Sequence, residues 1–196
     1  MDSHIPFIGV WLLFFSTSCY NEPQIVFYEK VMTMFQPMRR AKQQLSDEQA
    51  IAMLERNTAG TLALLGEDGY PYAVPLSYVY LDGVLYFHSA SSGHKIDAIK
   101  QHEKASFCVI DKDEIVPEAY TTYYKSVIAF GKVRIVDDPE QMRSILTALA
   151  MKYCADYEQG IAAEIDKYCS NMAVIGLSIE HITGKTSIEL VREGAL

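Results

Sequence analysis

The segment Tyr70-Pro71-Tyr72-Ala73-Val74-Pro75-Leu76-Ser77-Tyr78-Val79-Tyr80 reads as a strand that carries two prolines. Proline has no N–H to give to a ladder, so Pro71 and Pro75 confine this strand to a sheet edge or a bulge. That irregularity leaves backbone groups available to a ligand. Asp82-Gly83 follows with the signature of a tight hairpin, and Val84 to His88 returns as the next strand.

Beyond that strand the chain reads Ser89-Ala90-Ser91-Ser92-Gly93-His94-Lys95-Ile96-Asp97-Ala98-Ile99. An apolar strand ends in a histidine, passes through small residues and a glycine, and opens a helix at His94. The first N–H groups of a helix lack internal partners, its dipole favours negative charge, and Lys95 adds a full positive charge. A phosphate-bearing ligand belongs at this point, with Gly93 permitting close backbone approach and the serine hydroxyls able to accept or donate. Helix capping by serine is the plain structural explanation of the same residues.

The rest of the chain supplies short strands with helices inserted between them. Ser46 and Gln49 form a capping box for a helix whose apolar face is Ala50, Ile51 and Leu54. Strands are expected over Thr61 to Leu65 and Ala105 to Ile110, and long strands bent at Gly131 over Tyr120 to Val136. Asp138-Pro139 starts a helix with the apolar stripe Met142, Ile145, Leu146, Leu149 and Tyr153. A further helix spans about Glu158 to Cys169, and Met172 to Ile179 is the last strand. Many short antiparallel strands suggest a small closed barrel, which abolishes exposed edges.

A formal net charge of −8 argues against a nucleic-acid or anionic-membrane surface. Cys19, Cys108, Cys154 and Cys169 have neither CxxC spacing nor a metal frame, and read as buried or half-buried reduced thiols in a cytoplasmic protein. Ile5 to Phe15 is strongly apolar but too short for an ordinary membrane span, and Met1 to His4 lacks the cationic start of a signal peptide. Residues 1–33 are therefore expected to be a poorly ordered extension, or to precede a translation start at Met34 or Met38, leaving 34–196 as one domain.

Four stretches taken in order carry a resemblance: Gly69 to Tyr78, Tyr86 to Ile99, Lys125-Ser126-Val127-Ile128-Ala129-Phe130-Gly131, and Glu180-His181-Ile182-Thr183-Gly184-Lys185. They resemble the FMN-binding split barrels of the pyridoxamine 5'-phosphate oxidase-related superfamily, and within it the 5-nitroimidazole-resistance (Nim) group, from about Met34 to near Leu190. The resemblance implies a mainly β, α+β fold: an antiparallel six-stranded split β-barrel with flanking helices. It implies a homodimer with FMN at the interface. The flavin ring would lie along Val74, Pro75, Leu76, Ser77 and Tyr78, with Ser77 and Tyr78 the first side chains to name. His88, Ser89, Ala90, Gly93, His94, Lys95 and Ser126 would complete the cofactor site.

His88 matches a histidine position beside the flavin in the Nim-like pattern and is the preferred catalytic residue, since imidazole ordinarily titrates close to neutral pH and can pass a proton to a reduced substrate. A lone histidine is also often structural. The activity implied is reduction of a small, flat, electron-poor substrate, with nitroimidazole reduction as the suggested case. Pyridoxamine 5'-phosphate oxidase itself fits less well, because only Arg192 is available near the C-terminus for a second phosphate. A non-catalytic flavin or haem binder, with His88 or His181 ligating iron, is the alternative from another class. No GxGxxG, metal motif or Ser-His-Asp arrangement is present.

Overall fold

Local signals start most of the elements where the sequence places them. The computed structural model describes residues 35–195, so the expectations for residues 1–33, including Cys19, lie outside the described residues. Helix α1 (Asp47–Arg56) begins with the full capping box, Ser46 N–H donating to Gln49 Oε1 at 2.9 Å and Gln49 N–H to Ser46 Oγ at 3.2 Å. Asp82 and Gly83 both take positive φ, 46° and 83°, the backbone that a two-residue hairpin between β4 (Val79–Leu81) and β5 (Val84–Ala90) requires. Asp138 caps α3 (Pro139–Cys154) by accepting from the Glu140 and Gln141 N–H groups.

The remaining strands are β1 (Gln44–Leu45), β2 (Ala59–Leu65), β3 (Pro71–Ser77), β6 (Lys104–Val116), β7 (Thr121–Val136) and β8 (Met172–Thr186). The other helices are α2 (His94–Gln101), α4 (Glu158–Tyr168) and α5 (Ile188–Arg192). All pairings are antiparallel, in the order β3-β2-β6-β7-β8-β5-β4, with β1 added to β8. Six long strands form the expected split barrel, and β1 and β4 are short additions of two and three residues. The two ends of this order, β3 and β4, are halves of one run joined through Tyr78. The sheet therefore curls until a single bent strand serves β2 with one half and β5 with the other.

Three differences from the sequence reading have physical causes. The expected strand from Tyr70 to Tyr80 is interrupted at Tyr78, where pairing changes partner. Strands β6 and β7 run well past the barrel as a two-stranded ribbon, Lys112 facing Lys125 and Val116 facing Thr121. Its charged residues lack an apolar alternation, so only the ladder makes it a strand. Likewise β8 continues beyond Ile179 to Thr186 because β7 pairs with it throughout. A bulge falls at Gly131, as expected, but the extra residue is on the facing strand: Phe130 pairs with His181 and Gly131 with Ile179, leaving Glu180 of β8 unpaired, and a Cβ at 131 would overlap the Ser178 carbonyl oxygen.

The core has two layers. Leu54, Leu62, Phe87, Phe107, Val127 and Ile175 fill the barrel interior. Outside it, Ile145, Leu149, Ile161 and Ile165 of α3 and α4 cover Tyr86 and Val174 on the outer face of β5 and β8. Each such large side chain contributes about 1.5–3 kcal/mol on burial. Cys108 is half-buried, but Cys154 and Cys169 are exposed, contrary to expectation, because they fall at helix ends beyond the packed stripes. Among the described residues, no helix is long and apolar enough to cross a membrane.

Candidate functional site

The edge strand β3 is the natural starting point. Gly66 N–H donates to the Tyr70 carbonyl at 2.9 Å, which fixes the phase of the β2–β3 ladder. Bonding alternates from there, so Tyr72, Val74 and Leu76 face β2 with their backbone groups, and Pro71, Ala73, Pro75 and Ser77 turn theirs to the open edge. Two of those four are prolines, placed where a missing N–H breaks no ladder bond. Only Ala73 and Ser77 offer N–H donors on that edge. Side chains share the same period: Ala73, Pro75 and Ser77 are exposed, while Tyr72, Val74 and Leu76 pack against the interior cluster. The side chains of Val74 and Leu76 are thus part of the barrel wall, and their backbone groups are engaged with β2, which leaves Ala73, Pro75 and Ser77 as the edge positions open to a ligand.

Tyr78 requires a larger correction. Its side chain is fully buried, edge-on to Phe107, and its hydroxyl donates to the Leu54 carbonyl at 2.7 Å. Burial pushes that hydroxyl's pKa well above the ordinary range for a tyrosine. Its backbone, freed from the ladder at the bend, is taken up by Tyr153 of α3. Tyr78 N–H donates to the Tyr153 hydroxyl at 2.8 Å, and that hydroxyl directs its one proton to the Tyr78 carbonyl at 2.7 Å or the Thr58 carbonyl. The neighbouring Lys152 donates to the Asn57 carbonyl at 2.6 Å and sits 4.3 Å over the Tyr78 ring. Tyr78 thus shapes the site from inside the wall, its side chain turned into the barrel interior. Tyr153 and Lys152 are residues the sequence reading missed: Tyr153 stands in an apolar stripe, where nothing marks a working hydroxyl.

On β5 the interior parity holds Leu85, Phe87 and Ser89, and the outer parity holds Tyr86, His88 and Ala90. His88 faces Val174 across the ladder, and its exposed side chain has no hydrogen-bond partner among the described residues. The chain then turns at Gly93, whose φ of 114° is one that side chains rarely adopt, into α2. No serine caps this helix, so the plain capping explanation of Ser91 and Ser92 does not hold. Lys95 is half-buried, its pKa lowered by that burial, and no carboxylate pairs with it among the described residues. The His94 ring lies elsewhere, stacked on Tyr72 at 4.2 Å and close to Gly66, so only its backbone faces the helix start.

A cavity of about 640 Å³ lies between this outer face and the α3–α4 pair. Ser77 and His88 are at its base, Met172 is at its side, and the helices supply mainly apolar walls. Ser126 is not brought to this assembly within one chain. It pairs with Lys185, whereas His88 pairs with Val174. Those two positions are separated by on the order of 35 Å of strand at about 3.3 Å per residue.

The protein-family model described as pyridoxamine 5'-phosphate oxidase matches residues 46–186. No curated protein matches the chain. A Bacteroides thetaiotaomicron protein named for 5-nitroimidazole antibiotic resistance superposes with a TM-score of 0.61 at 23% identity, over 73% of this chain and 86% of its own. A conserved hypothetical protein of Mycobacterium tuberculosis gives 0.68 at 19% identity, over 82% and 94% of the two chains. The FAD and haem binding protein of Mycobacterium smegmatis gives 0.62 at 23%, over 74% and 73%. At these identities the structural likeness establishes the split-barrel fold, and the family model, spanning most of the chain, establishes the lineage: this protein belongs to the pyridoxamine 5'-phosphate oxidase family.

Proposed function

We propose that this protein is an FMN-dependent reductase of small electron-poor substrates, of the kind the Nim-like motifs suggest, with nitroimidazole reduction as a test case. The observation that carries the reading is His88, whose exposed side chain has no hydrogen-bond partner among the described residues and lines one cavity together with Ser77 of the β3 edge. The residues fit a phosphate-bearing flavin. Lys95 and the uncapped N–H groups after Gly93 would hold the phosphate, and the outward groups of Ala73, Pro75 and Ser77 would border the ring. Flavin-binding relatives of the same fold, such as the M. smegmatis protein, support the cofactor class.

Reduced FMN, when bound, supplies the hydride or electrons that an electron-poor aromatic takes up. The chain's own part is positional. The β3 edge orients the ring, α3 and α4 shield the outer face from water, and a ring nitrogen of His88 delivers a proton to the substrate heteroatom as it gains charge. Ser126 reaches the flavin only from a second copy, which is how a homodimer with shared sites enters the reading. The exposed Ile110, Ile115 and Tyr120 on the β6–β7 ribbon offer an apolar face for that copy. Among the described residues, the free cysteines Cys108, Cys154 and Cys169, the last two exposed, are in keeping with a cytoplasmic setting. Haem ligation has less support: the His181 ring is stacked on Phe35 at 4.5 Å with Phe130 alongside.

An absorbance spectrum of the purified protein, with acid release and identification of the pigment, tests the cofactor. Released FMN upholds it, FAD corrects it, and a Soret band or a colourless protein that refuses FMN removes it. His88→Ala then tests the chemistry: turnover should fall by about 10²–10⁴-fold, the usual worth of a general acid, with flavin content unchanged.

A further inference from the structure

We propose that the cavity beneath α3 and α4 is a binding pocket for an uncharged, apolar aromatic ligand larger than a single nitroimidazole ring. As a substrate pocket this deepens the reductase reading above and rests on it. Size is the first argument. About 640 Å³ lies well within the range of roughly 300–1,000 Å³ that holds drug-sized ligands, and equals about twenty water molecules at roughly 30 Å³ each. A lone five-membered ring leaves most of it empty.

Wall chemistry is the second argument. Leu146, Leu149, Ile161, Ile165 and Met172 make the lining predominantly apolar, and neither lysine nor arginine contributes to it. Glu164 is its one carboxylate and has no ion-pair partner among the described residues. An anion entering here would lose hydration, gain no cation and meet a carboxylate, so the pocket excludes negative charge. The anion-binding features, Lys95 and the start of α2, are not part of the lining. Ser77 and His88 supply the polar groups on the sheet side, and Tyr153, Tyr157 and Glu164 supply those on the helix side, so the ligand places its hydrogen-bonding or reducible group against His88 and its rings against the aliphatic side chains.

Gly160 is the third argument. It lines the cavity within α4, where glycine costs about 1 kcal/mol relative to alanine, and a Cβ added there meets nothing within 4 Å. Packing does not require the glycine, so a bulkier side chain here enters the open space of the cavity without displacing its walls.

A matched pair of dyes tests the proposal on the full-length protein, with and without FMN: neutral N-phenyl-1-naphthylamine, and 8-anilinonaphthalene-1-sulfonate, which adds a sulfonate to the same ring skeleton. The neutral dye should bind saturably at one per chain, at least about tenfold tighter than the sulfonate, equally in both forms. Gly160→Phe should weaken it by about tenfold or more with flavin content unchanged, and Gly160→Ala should leave it as it was. Absence of saturable binding, equal affinity for both dyes, or no effect of Gly160→Phe overturns the proposal. Displacement of the neutral dye by FMN also overturns it and assigns the cavity to the flavin ring. Neutral-dye binding by a protein that takes no flavin upholds the pocket and its ligand class while removing the reductase reading.

Discussion

Replacing Tyr153 by phenylalanine removes one oxygen and, with it, the fastening of the bend in the wall strand. The hydroxyl accepts from Tyr78 N–H at 2.8 Å and directs its proton to the Tyr78 or Thr58 carbonyl. A buried backbone donor left without a partner costs about 1–3 kcal/mol, and a carbonyl with a second lone pair less. Tyr153 is 38% exposed, so water reaches part of the gap and brings the expected loss to about 1–2 kcal/mol. With a urea m-value of about 2 kcal/mol/M, the unfolding midpoint should fall by about 0.5–1 M with m unchanged. Tyr157→Phe is the control: that tyrosine is 78% exposed, and its substitution should stay within about 0.5 kcal/mol of the parent. Because Ser77 adjoins Tyr78, FMN affinity should weaken severalfold in Tyr153→Phe alone. Equal midpoints for the two variants would refute the claim that this hydroxyl holds the bend.

Two further predictions concern charge. Lys95→Gln should weaken FMN binding by about 10–100-fold, the worth of a charge-assisted hydrogen bond of about 1.5–3 kcal/mol, and leave riboflavin affinity unchanged; equal losses for both flavins, read by fluorescence quenching, would remove Lys95 from the phosphate. Burial pushes the Asp111 carboxyl up, but Arg56, at 2.8 and 2.5 Å, and Asn57, at 2.7 Å, outweigh it and hold the group below the usual carboxylate range. A lowered folded-state pKa means stability that is full above the unfolded value near 4 and lost as pH falls through the folded value. Asp111→Asn should therefore lower the melting temperature at pH 7, and the difference from the parent should shrink below about pH 4; a gap independent of pH would show that the charge is not what matters there.

The elements that the sequence determined by itself are those whose cause lies within a few residues. The Ser46–Gln49 box, the Asp82-Gly83 turn and the Asp138-Pro139 start were all legible because capping and turn geometry are settled locally, and Gly131 marked the place of the bulge though the extra residue is on β8. Prolines at 71 and 75 announced an edge strand for the same reason. Of the candidate site, the position of His88 and the glycine turn into α2 were legible, and the resemblance supplied their chemistry. What each side chain faces was not. Which members of the β3 strand turn inward was settled only by the β2 ladder, and whether Ser126 lies beside His88 or far along the sheet only by the β8 register. The bend at Tyr78 depends on a hydroxyl 75 positions away, and the lysine over its ring bonds a carbonyl 95 positions away. Such contacts come from packing one layer on another, and the energy that selects them appears only once the barrel has curled and α3 has docked on its outer face.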